Sequence, residues 1–137
     1  MENYSKNIIK DFEYWTVLTH SNQSYLGRCV IWCKRENALD MTDATKEEQE
    51  ELFRILKNLK KAIESAFRPD WMNYAFLGNG TRHLHAHVVP RYSSEKEFEG
   101  VSFKDERWGH SYRTDHDFTL PPEILEAIGL RIKRFLD

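Results

Sequence analysis

No stretch of this chain is apolar enough to read as a membrane span, and none is charged strongly enough to read as a nucleic-acid surface. A spanning helix needs ~20 consecutive apolar residues, and no run here approaches that. Lys and Arg number 20 against 22 Asp and Glu, so the net charge of −2 leaves no footprint for nucleic acid. The opening residues 1–11 are polar and lack an apolar signal core. Cysteine is scarce. Cys29 and Cys33 fall in a segment that reads as a strand, where they share a face but stand ~13 Å apart, too far for a disulfide. That separation also speaks against a zinc pair. These absences predict a soluble cytoplasmic protein with reduced, buried thiols. No repeat, linker or low-complexity tract interrupts the 137 residues, so 1–137 reads as one domain with a proper core.

Histidine, by contrast, is concentrated. Three of the six lie in His83-Leu84-His85-Ala86-His87, followed by Val88-Val89-Pro90-Arg91. Side chains alternate faces along a strand, so His83, His85 and His87 point one way, with neighbouring imidazoles ~6.5–7 Å apart. Leu84, Ala86 and Val88 point the other way, into a core. One sheet face thus carries three groups that titrate near neutral pH and serve as nucleophile, acid, base or metal ligand. An imidazole face has no packing advantage over Thr, Val or Tyr, so a purely structural reading fits poorly. A metal site is the serious rival, since alternate histidines on a strand hold one ion together. No supporting Cys, His or carboxylate spacing accompanies it elsewhere, so no metal ligands are assigned. His20, His110 and His116 read first as isolated, half-buried structural histidines.

Around this segment the pattern predicts alternating hairpins and helices. Residues 4–12 (Tyr4, Ile8, Ile9, Phe12) read as a short amphipathic helix. Trp15 to Thr19 and Leu26 to Cys33 read as strands, joined through the turn cluster Ser21-Asn22-Gln23-Ser24. Thr45 and Glu48 form a capping box, after which Leu52, Phe53, Leu56, Leu59, Ile63 and Phe67 recur at helical spacing. Pro69 ends that helix. Trp71 to Leu77 reads as a strand, Gly78-Asn79-Gly80 as a tight turn, and the histidine strand follows. Residues 93–118 are polar but carry Phe98, Phe103, Trp108, Tyr112 and Phe118, which predicts a packed loop. Pro121 and Pro122 open a last helix with Ile124, Leu125, Ile128, Ile132 and Phe135 as its stripe. The expected class is α+β: an antiparallel sheet of about five strands with a long central helix and a C-terminal helix on one face.

The histidine strand resembles the signature of the histidine triad (HIT) family: His, apolar, His, apolar, His, then two apolar residues. Asn73-Tyr74-Ala75-Phe76-Leu77-Gly78-Asn79-Gly80 resembles the strand and turn that precede the triad, and Leu26-Gly27-Arg28 and the long helix fit the order of elements. The resemblance covers about residues 12–92, with a C-terminal loop and helix over 93–137 similar to small microbial diadenosine polyphosphate hydrolase-like members. It implies a nucleotide hydrolase or transferase acting at an α-phosphate, such as that of a dinucleoside polyphosphate or a phosphoramidate AMP conjugate. It places the nucleophile at His85, a phosphate or leaving-group contact with proton transfer at His87, and orientation of that pair at His83. It implies hydrogen bonds to phosphate from Asn73, Asn79 and Thr81. Asn79 reads equally as a turn residue and Thr81 as a strand hydroxyl. Arg28 stands where many members carry His, and reads either as a phosphate ligand or as a surface cation. His20 falls where many members bind ribose, with Asn22 as the alternative. Trp108 reads as a base-stacking residue or, more simply, as a core or interface residue. The resemblance further implies a homodimer, no permanent cofactor, and a divalent cation only with a polyphosphate substrate. A binding module with little turnover and a three-histidine metalloenzyme are the other classes left open.

Overall fold

The computed structural model describes residues 5–136. Its strands are β1 (Ile8–Asp11), β2 (Trp15–Thr19), β3 (Cys29–Cys33), β4 (Trp71–Ala75), β5 (His85–Arg91), β6 (Lys96–Phe98) and β7 (Val101–Phe103); its α-helices are α1 (Lys46–Phe67) and α2 (Pro122–Phe135). The first five strands form one antiparallel sheet in the order β1-β2-β3-β5-β4, and β6-β7 form a separate hairpin. Both helices pack on one side, closing a core that includes Val17, Ile31, Ala86 and Val88 from the sheet and Ile55, Leu59, Ile63, Ile128 and Ile132 from the helices. The α+β architecture is therefore as the sequence predicts.

Register explains which face is which. Ile31 pairs with Val17 on one side and Ala86 on the other, a row of small or β-branched apolar groups that suits burial under the helices. The adjacent rows lie on the opposite face: Trp32 pairs with Thr16 and His85, and Val30 pairs with Leu18 and His87. The cap of α1 is built as the sequence indicates. Thr45 accepts from the Glu48 amide at 3.1 Å while the Glu48 carboxylate accepts from the Thr45 amide at 2.8 Å. At its other end Arg68 adopts a left-handed conformation just before Pro69.

Four expectations are corrected. Residues 5–12 are not an α-helix: a 3-10 turn at Ser5–Asn7 leads into edge strand β1, and Tyr4 lies outside the described residues. Ile9 is buried while Ile8 is exposed, a period of two, and pairing with β2 decides the outcome over local helical spacing. Phe53 faces solvent at 65% exposure, because the buried stripe of α1 runs through Ile55, Leu59, Ala62 and Ile63. Gly78-Asn79-Gly80 is part of a longer connection, 76–84, between β4 and β5. His110 and His116 are exposed. The segment 93–118 is packed as expected, but begins with the β6-β7 hairpin, turned at Glu99 and Gly100, both at positive φ (50° and 76°).

Candidate active site

The helix-free face of the sheet carries a cleft of about 190 Å³, lined by Leu18, His20, Val30, Trp32, Thr81, His85 and His87 among others. Other grooves are as large or larger, including one of about 320 Å³ between the N-terminal segment and α2, but that one is lined by Lys6, Asn7, Thr19, Glu126, Lys133 and apolar groups, with no histidine among them.

β5 begins at His85, so His83 stands just before the strand proper. Its neighbour Leu84 is nevertheless fixed as if within the sheet: the Leu84 amide donates to Ala38 O at 2.8 Å, and Leu84 O accepts from the Cys33 amide at 3.1 Å. The alternation therefore persists. The His83 ring stacks on Trp32 with centroids 4.1 Å apart, and Trp32 also lies against His85 at 5.5 Å. The His85 and His87 rings meet edge to face at 4.9 Å, closer than the backbone repeat alone requires, because the rings lean together.

Hydrogen-bond partners assign a proton to each ring. His83 Nε2 lies 2.6 Å from Cys33 O, and a carbonyl only accepts, so Nε2 carries a proton. His85 Nδ1 lies 2.6 Å from His83 O and likewise donates, which leaves the lone pair of neutral His85 on Nε2. His87 is the reverse case: the Arg28 guanidinium, a donor only, lies 3.1 Å from Nδ1, so Nδ1 accepts and Nε2 carries the proton. His20 Nδ1 accepts from the Asn22 amide at 2.9 Å, leaving its Nε2–H free. Burial first, then Arg28, holds the His87 pKa down at about 4, with His85 adding to the effect. Burial, Arg28 and His87 hold His20 at about 3. Both imidazoles are therefore neutral near pH 7.

The structure brings His85, His87, His20 and Thr81 to one cleft, with His83 stacked behind Trp32. Arg28 is buried (4% exposed) beside His87, not spread on the surface. Asn73 lies elsewhere, its Oδ1 accepting from Arg91 at 2.8 Å in a separate groove with Trp71 and Trp108. Asn79 is exposed on the 76–84 connection outside the cleft lining. Asn22 turns its amide to Asp115 O at 2.8 Å. Sequence reasoning overlooks Trp32, the platform for two of the histidines. It also overlooks Gln23, which is buried and donates to both His20 O (2.7 Å) and Arg28 O (2.8 Å) while accepting from the Gly27 amide (2.8 Å). Gly27 is required there: its φ is +89°, and a Cβ would lie 3.0 Å from the Phe67 ring. The period-two alternation of β3, read in register with β5, was the available signal for Trp32; nothing local marks Gln23.

Among the described residues no group of three or more His, Cys, Asp or Glu is placed to hold a metal ion. No helix among them is long and apolar enough to cross a membrane.

Comparison with known proteins agrees with this fold. The chain is 27% identical over 95 residues to the bis(5'-adenosyl)-triphosphatase of Saccharomyces cerevisiae, a match covering 65% of this chain and 46% of the relative, so the chain spans about half the length of the curated relatives it matches. Its fold matches the crystal structure of a histidine triad protein from Bradyrhizobium japonicum with TM-score 0.76 and 17% identity, over 100% of this chain and 96% of the other. It also matches a hypothetical histidine triad nucleotide-binding protein from Sulfolobus tokodaii, TM-score 0.74 and 18% identity, over 93% and 81%. The model of the HIT domain matches residues 1–94, more than half of the chain, and the chain belongs to the HIT family.

Proposed function

We propose that this protein is a nucleotide hydrolase that cleaves at the α-phosphate of a dinucleoside polyphosphate or similar AMP conjugate through a nucleotidyl-His85 intermediate. The observation that carries the reading is the 2.6 Å bond from His85 Nδ1 to His83 O, which engages Nδ1 as the donor and makes Nε2 the nitrogen of this cleft-lining ring that is available to attack. The bis(5'-adenosyl)-triphosphatase relative supports the substrate class.

The His85 Nε2 lone pair attacks phosphorus, the bond to the leaving oxygen breaks, and the electron pair departs on that oxygen. The His83 carbonyl stabilises the cationic ring that results. Water then attacks phosphorus and returns the P–N electron pair to Nε2, its proton passing to solvent. His87 Nε2–H offers a hydrogen bond to the phosphate or leaving group, and His20 Nε2–H offers one to a ribose hydroxyl. Thr81 presents its side chain at the exposed rim. No step requires a metal hydroxide; a divalent ion enters with a polyphosphate substrate. The homodimer implied by the resemblance belongs to the same proposal.

A panel of adenylated and guanylated substrates in ¹⁸O-water, followed by product mass analysis, tests the reading. The expected result is a nucleoside monophosphate carrying the heavy oxygen. Tight binding without turnover would favour a binding module. Loss of activity with chelator on a p-nitrophenyl ester of AMP, restored by stoichiometric zinc, would favour the metalloenzyme.

A further inference from the structure

We propose that Arg28 is a positioning residue that locks His87 as a hydrogen-bond donor with no second proton to give, and so restricts the site to leaving groups that depart as anions. The inference rests on the hydrolase reading above and names its leaving group: the phosphate oxygen of an anhydride in preference to an amine.

The guanidinium is clamped from several sides. One terminal nitrogen lies 3.1 Å from His87 Nδ1, the other donates to Thr114 Oγ1 at 2.6 Å, and the guanidinium carbon lies 5.2 Å from the centroid of the Tyr112 ring. Thr114 and Tyr112 belong to the loop that follows β7, so the C-terminal segment holds the group against β5. Its backbone is held as well, since Arg28 O accepts from the His20 amide at 3.0 Å and from Gln23 at 2.8 Å. Moving the guanidinium onto a bound phosphate would break both side-chain bonds in a buried place.

The groups facing His87 are Arg28 on the lead into β3, His85 on its own strand, and His20 on the loop after β2. None is a carboxylate, so nothing opposes the guanidinium, and His87 stays neutral with Nδ1 occupied. The chemical consequence follows from electron counting. When a phosphoanhydride P–O bond breaks, the pair rests on a phosphate oxygen that is stable as an anion, and the His87 Nε2–H needs only to hydrogen-bond it. When a phosphoramidate P–N bond breaks, the pair rests on an amine nitrogen, which needs a proton to depart, and an imidazolium at His87 would be the general acid placed to give it. Arg28 denies His87 that form.

The test compares kcat/KM for a dinucleoside polyphosphate and an adenosine phosphoramidate in the wild-type protein, R28K and R28M, alongside ¹⁵N NMR of the histidines from pH 7 to pH 5. The wild type should favour the anhydride, with His87 Nδ1 unprotonated throughout. R28M should lower the anhydride-to-amide ratio by about 10²-fold, the usual size of a general-acid contribution, and add a His87 titration to the phosphoramidate pH profile. R28K, which still offers a donor, should keep much of the ratio. Equal losses on both substrates in R28M, or a wild-type His87 that protonates near pH 6.5, would overturn the proposal. The NMR arm reads the wild-type protein and so stands if R28M does not fold. Turnover of neither substrate by the wild type would instead sink the hydrolase reading, and the leaving-group claim with it.

Discussion

At the scale of single residues, the site depends on which nitrogen of each imidazole is engaged. His85 donates through Nδ1 and His87 accepts through Nδ1, so two histidines one strand repeat apart present opposite chemistry to the same cleft. His85→Ala should lower turnover by several orders of magnitude while leaving the fold intact, because the other two histidines that line the cleft, His20 and His87, accept through Nδ1 and present Nε2–H instead. Steady-state rates and a thermal melt check both halves. The two depressed pKa values also fix a pH dependence of stability. His20 and His87 ordinarily titrate near 6.5 and are held at about 3 and about 4. Between these limits the unfolded chain binds more protons than the folded one. The stabilisation is therefore complete above pH 6.5 and is lost as the pH falls toward 4 and then 3. Carboxylates remain largely ionised from pH 7 to pH 5, so a falling Tm over that interval reports the histidines. His20→Asn should flatten the decline; an unchanged slope would show that His20 does not contribute.

At the scale of elements, alternation in β5 makes neighbouring positions fail in opposite ways. Leu84 is 2% exposed and part of the core, so Leu84→Ala should cost about 2–5 kcal/mol in denaturant unfolding, with the remaining folded protein active. His87→Ala should instead change rate and leaving-group dependence with a smaller effect on the melt. The histidine segment was legible because its period of two and its apolar partners agree with its pairing. The α1 cap was legible for a similar reason, since Thr45 and Glu48 need only each other. β1 was not, because Ile8-Ile9 gains its strand from β2, a partner that local spacing does not contain. The role of Arg28 was hidden likewise. Its partner Thr114 is far along the chain, and only the folded loop brings the two within 2.6 Å.

At the scale of the whole molecule, the C-terminal third is tied to the triad half by a buried ion pair. Arg91, at the end of β5, meets Asp105 through bonds of 2.7 and 3.1 Å, and it also donates to Asn73 Oδ1, Arg107 O and His110 O. The Asp105 side chain has no exposed surface and the Arg91 side chain 5%. The guanidinium lowers the Asp105 pKa against the opposing effect of burial. Asp105→Asn leaves a buried cation without its partner and should cost about 3–5 kcal/mol, measured by denaturant unfolding. The loop that follows also supplies Thr114 and Tyr112 to Arg28. The variant should therefore shift leaving-group preference as well as stability, joining the two halves in one observation.

The central claim, covalent chemistry on His85, is tested most directly by a single-turnover reaction with enzyme in excess over a dinucleoside polyphosphate. The reaction is quenched in alkali, which preserves a P–N bond, and the tryptic peptide 83–91 is mapped by mass spectrometry. The account predicts an adenylyl adduct that forms and decays in step with product and fragments to His85. Complete conversion with no adduct at any time, or an adduct on another residue, would contradict it.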